Sequence, residues 1–241
     1  MKNSKVKTSE YFKVRLKEVL KPLYKEMLSE ITHEHICTFA AQWGEFFPKK
    51  ENTGLLFVGK SVNGWVADSI DIEDIFCDSG NGVFAMNDQM IWVENCEGSN
   101  KGYNSRKSAF WRLIKKISLN YYSQDWYENV AWSNVCKVSP YVGNPSNKLY
   151  YEQLSSAQKI LAKEIEILSP KTVVMFTSGW EEDFLLYMNN DKMPEPVKVV
   201  SWYKYQSILY NIKGRKFIVS PHPQGKTESA HVDAVIELIE M

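Results

Sequence analysis

The segment Gly54-Leu55-Leu56-Phe57-Val58-Gly59 constrains the fold most. A short apolar run closed at both ends by glycine suits a strand buried on both faces. Thr172-Val173-Val174-Met175-Phe176 is a second strand of this kind, and Asn129–Val135 and Lys216–Ser220 are two more candidates. Helical patterns separate them. Ser108–Leu119 carries Phe110, Leu113, Ile114 and Ile117 on one face, Tyr150–Leu168 is strongly amphipathic, and Trp180–Met188 and Thr227–Glu240 are helical. Strands alternating with helices imply βαβ units. The expected fold is α/β, a three-layer α/β/α sandwich around a central, mainly parallel sheet of about four strands.

The rest of the chain is read as one domain over residues 1–241. Ser9–Phe47 reads as helix, divided or kinked at Pro22. Residues 66–100 read as an insertion, with a small hairpin pairing Val83–Met86 with Gln89–Val93, and Val197–Trp202 and Ser207–Tyr210 as weak strands. With 241 residues, 44% of them hydrophobic, the chain can bury a full core without disulfides or metals. Cys37, Cys77, Cys96 and Cys136 are scattered without a CxxC pair, which reads as reduced thiols in a cytoplasmic protein. No apolar run reaches membrane-spanning length, so no membrane partner is expected. There are 29 basic and 29 acidic residues, whereas a domain that grips phosphate backbone shows a basic excess or a basic face. No GxxxxGK[ST] or GxGxxG occurs, which disfavours a phosphate-loop enzyme and a dinucleotide site.

In a parallel sheet of this kind, ligands bind beyond the carboxyl ends of the strands. Three polar segments start there: Gly59–Trp65, Asn134–Asn147 and Ser220–Lys226. Their motifs are Gly59-Lys60-Ser61-Val62-Asn63-Gly64, Ser133-Asn134-Val135-Cys136-Lys137 and Ser220-Pro221-His222-Pro223-Gln224-Gly225. In order and strand context they resemble the uracil-DNA glycosylase superfamily. That family has a glycine-led loop that orients the attacking water, a strand-end Asn that reads the base, and a His-Pro loop that stabilises the leaving base. Tyr103-Asn104-Ser105-Arg106-Lys107-Ser108 falls where the family has its base-stacking aromatic. The matches span roughly Gly54–Lys226.

The resemblance implies a uracil-DNA glycosylase-like fold and hydrolysis of the N-glycosidic bond of a damaged or deaminated base in DNA. Such a site stabilises a cation-like sugar and an anionic base, and it reads a base lifted out of its stack. His222 would donate to the base carbonyl, and Asn134, which both donates and accepts, would read the base edge. Tyr103 would stack on the base, Gly59 and Lys60 would line the substrate pocket, and Arg106, Lys137 and Lys226 would meet phosphates. Ser61 stands where many members carry Asp, Glu or Asn, and Val62 replaces a proline. Ser61 needs an activating partner to act as a base, so the water falls to Ser61 as hydrogen-bond partner, to Asn63, or to a carboxylate such as Asp68. The family's iron–sulfur branch uses a close cysteine pair that is absent here, so no cofactor or metal is expected. The alternative is a cleft that binds a free nucleobase or nucleotide without excision, or an interaction protein with a vestigial cleft. His33, His35 and His231 read as structural or surface residues.

Overall fold

The computed structural model describes residues 2–33, 36–48, 54–62, 71–77 and 90–241. Four parallel strands form the middle of the sheet: β3 (Leu55–Gly59), β4 (Ala131–Asn134), β6 (Thr172–Phe176) and β9 (Arg215–Ser220). In space they run β4-β3-β6-β9. Three antiparallel strands widen this core to seven. β2 (Gln42–Trp43) pairs with β4 at one edge, and β8 (Tyr205–Ile212) and β7 (Pro196–Trp202) follow β9 at the other. β1 (Ile36–Thr38) and β5 (Val138–Pro140) form a separate antiparallel pair.

Side-chain alternation along the parallel strands builds the two outer layers. Leu56, Val58, Val173 and Met175 pack against α1 (Lys2–Glu30), α5 (Asn147–Leu168) and α6 (Glu182–Met188). Leu55, Phe57, Val174 and Phe176 face the other way, onto α4 (Ala109–Ser118) and α7 (Glu228–Glu240). The α/β class and the two helical layers therefore agree with expectation.

Local chemistry sets the ends of the major helices. Ser108 and Ser146 cap α4 and α5, their hydroxyls accepting from Trp111 N (3.4 Å) and Leu149 N (3.2 Å). α5 stops at Ser169, in the left-handed region at φ 46°, followed by Pro170.

Three expectations are corrected. The sheet has seven strands rather than about four, because antiparallel strands extend both edges of the parallel core. The N-terminal helix ends at Glu30, before the strands 36–38 and 42–43, and it passes through Pro22 without dividing. Leu16, Leu20, Tyr24 and Met27 are all buried at helical spacing, and each contributes about 1.5–3 kcal/mol of burial that offsets the backbone bond Pro22 removes. The expected hairpin also fails over its second half. Ile91–Asn95 is a short helix, α3, whose Val93 packs into the α4 layer; residues 83–89 lie outside the described residues. α2 (Ile72–Ile75) starts at Asp71, whose side chain accepts from Glu73 N.

Candidate active site

Register aligns the ends of the parallel strands. Gly59 pairs with Asn134 across β3 and β4, and Phe176 with Ser220 across β6 and β9. The chain continues from these ends into the three polar segments. Val135 N donates to Gly59 O (3.0 Å) and Cys136 N to Lys60 O (2.9 Å), so the first two segments are bound together.

Gly59 is constrained by its neighbours. A Cβ there would lie 2.5 Å from Asn134 Oδ1 and 3.4 Å from the Phe110 ring. Phe110, in the first turn of α4, lies parallel to the His222 ring within 13°, with centroids 6.4 Å apart. Asn134, Gly59, Phe110 and His222 are thus contiguous. Asn134 is 1% exposed, and its Nδ2 has no hydrogen-bond partner among the described residues. A buried amide donor without a partner costs on the order of 1–3 kcal/mol, so it is a feature to explain.

The end of β6 aims His222. Ser178, at φ 51°, accepts from His222 N at 2.7 Å. Gln224 N donates to His222 Nδ1 at 3.4 Å, which puts the proton of the neutral ring on Nε2. Burial, then the nearby Lys60 and Lys226 ammoniums, push the His222 pKa down to about 4. At neutral pH the ring is therefore an uncharged Nε2–H donor.

Lys60 and Lys226 flank this histidine. Lys60 Nζ lies 5.5 Å from the Trp180 ring centroid. Lys226 Nζ donates to His222 O at 2.6 Å and lies 5.0 Å from the Tyr205 centroid. Ser61 Oγ reaches Asn144 Oδ1 at 3.5 Å. Glu181, just beyond β6, is 7% exposed and accepts from Thr177 Oγ1 and from Gly179 N at 2.8 Å. Asn63 and Asp68 lie outside the described residues.

The structure brings together His222, Asn134, Gly59, Lys60 and Lys226, and it separates others. Lys137 meets no phosphate: it is 0% exposed, and its Nζ contacts Glu164 Oε2 (2.6 Å) and Ser133 Oγ (2.7 Å). Desolvation lowers its pKa and the Glu164 carboxylate opposes that shift. Tyr103 packs on Trp92, with centroids 5.9 Å apart, at the far end of an aromatic cluster that runs through Trp132 to Phe110. The ring beside His222 is Phe110, which the helical spacing puts on one face with Leu113, Ile114 and Ile117. Those three are 0% exposed, whereas Phe110 at the helix start is only partly buried. Ser178 was also missed, although Thr177-Ser178-Gly179 directly follows the clearest strand, where a loop was due. Arg106 is exposed, and its carbonyl accepts from Arg112.

The remaining histidines are occupied structurally. His33 Nδ1 is 2.9 Å from Glu152. His231 is fully buried, its Nε2 is 2.6 Å from Ser220 Oγ and its ring stacks on Trp202; His35 lies outside the described residues. Among the described residues no group of three His, Cys, Asp or Glu is arranged to hold a metal, and no helix is long and apolar enough to cross a membrane. No family model matches this sequence, and no curated protein is detectably similar to it.

Proposed function

We propose that the site at the strand ends holds a nucleobase against Asn134 and His222 and hydrolyses its N-glycosidic bond, the activity implied by the resemblance to the uracil-DNA glycosylase superfamily. The observation that carries this reading is the unspent Asn134 Nδ2 donor, buried beside Gly59 and Phe110, with a neutral His222 next to them. Asn134 would meet the base edge and Phe110, rather than Tyr103, its face. In the reaction, the oxygen of water bonds to the sugar carbon as the carbon–nitrogen bond breaks. The bond pair leaves with the base, and the proton lost by water balances the charge. His222 Nε2–H would stabilise the developing anion, an effect of about 3 kcal/mol for one good donor.

A second reading, binding of a nucleobase or nucleotide without excision, is favoured by the water side. Ser61 is directed at Asn144, and Glu181 Oε2 is already engaged by Thr177 and Gly179. Neither is poised as a general base. Release of free base from oligonucleotides and nucleotides bearing uracil, hypoxanthine or xanthine separates the two readings. Excision is expected in the wild type and should fall about 100-fold in His222→Ala. Binding without base release would leave only the second reading, and binding of none of these compounds would refute both.

A further inference from the structure

The cations around the cleft bear on how many phosphates its ligand carries. Lys60 and Lys226 flank His222, and among the described residues neither pairs with a carboxylate. An aromatic face holds one and a backbone carbonyl the other, and each ammonium, with three donors, keeps at least one for an anion. Several other cations are held by carboxylates, whereas Arg106, Lys107 and Lys204 are exposed. Arg112 Nε and Lys116 Nζ both bind Glu228, at 2.7 and 2.6 Å, and Lys115 binds Glu97. Lys137 is buried on Glu164, and Lys148 lies 3.6 Å from Glu152.

The sequence itself offers no basic run after the first strand-end loop. From Ser61 to Asn100 there are five Asp and three Glu and no Lys or Arg. A protein that tracks a nucleic-acid backbone neutralises several phosphates, and its affinity falls steeply with salt. Two ammoniums with no carboxylate partner among the described residues suit an isolated phosphate better.

Resting on the nucleobase reading above, we infer that the ligand is a nucleoside monophosphate, its base against Asn134 and Phe110 and its phosphate between Lys60 and Lys226. The alternative source of the same base and phosphate is a nucleic-acid strand.

Calorimetric titrations test this with uridine, cytidine and inosine monophosphates, their parent nucleosides, and single-stranded oligonucleotides carrying the same bases. At least one monophosphate is expected to bind about 10-fold or more tighter than its nucleoside, with a log–log salt slope no steeper than about −2. Lys60→Met/Lys226→Met should abolish that advantage, so that monophosphate and nucleoside bind within about 2-fold of each other, with an unchanged circular-dichroism spectrum and melting temperature to show that the variant is folded. Nucleoside and monophosphate binding equally would overturn the inference and leave the nucleobase reading intact. So would oligonucleotides binding more tightly than monophosphates with a slope steeper than about −4. No binding by any of the three ligand types would overturn both.

Discussion

The two sides of one short segment behave oppositely. Ser133 and Lys137 bracket Asn134, and both turn inward onto Glu164 Oε2, each at 2.6 Å. The same carboxylate takes Ala41 N on Oε1 (3.2 Å), and Gln153 Oε1 accepts from the backbone of Lys137 and Val138. Every charge there has a partner and no exposure. Asn134, between those two residues, keeps a buried donor unspent among the described residues, beside a histidine whose Nδ1 alone is engaged. Fully satisfied buried groups hold a backbone in place, and unsatisfied ones beside an opening are available to a ligand. The contrast identifies Asn134 and His222 as functional candidates and Lys137 as a strut.

The largest test of the contrast is on the satisfied side. Glu164→Ala leaves the Lys137 ammonium buried without its counter-charge and should cost about 3–5 kcal/mol of unfolding free energy by denaturant titration. The Lys137→Met/Glu164→Gln pair, which removes both charges, should recover much of that loss. A Glu164→Ala cost under about 1 kcal/mol would show that the network is not structural.

Acid sharpens the same contrast between the two histidines of the C-terminal region. Burial, then Lys226 and His222, push the His231 pKa down to about 4, and His222 is similarly low. Both start from an ordinary value near 6.5, so between those limits the unfolded chain binds more protons than the folded one. Their contribution is complete above about pH 6.5 and is lost as pH falls toward 4. For the fully buried His231 it is about 3 kcal/mol, and the more open His222 adds less. Denaturant midpoints at pH 7 and pH 4.5 should differ in this sense, and His231→Phe should flatten the dependence. Equal midpoints in the wild type would remove the argument.

On the unsatisfied side, Asn134→Ala should leave stability within about 1 kcal/mol and weaken nucleobase or nucleotide binding about 10-fold or more. Gly59→Ala, which forces the Asn134 side-chain amide aside, should weaken binding similarly. Ligand affinity unchanged in both would detach Asn134 from the cleft. The smallest effect is expected at the rim, where Arg112→Ala breaks a part-exposed pair with Glu228 and should cost under about 1 kcal/mol by thermal melting. A larger loss would mean that this pair does more than neutralise charge.

Much of this was written in local sequence. The glycine-bounded run at 54–59, the β-branched run at 172–176 and the period of 150–168 each specify their element, because burial on both faces or one face leaves its own pattern of apolar spacing. From those elements followed the α/β class, the two helical layers and three loops at one end of the sheet. Pairing across distant chain segments left no such pattern. Whether Lys137 points to solvent or inward depends on Glu164, 27 positions away, and whether Phe110 or Tyr103 faces His222 depends on how α4 docks against β3. A lysine three residues after a strand-end asparagine looks the same in either case. The carboxylate that meets it, and the ring that lies over the missing Cβ of Gly59, exist as neighbours only after long-range packing has brought those segments together.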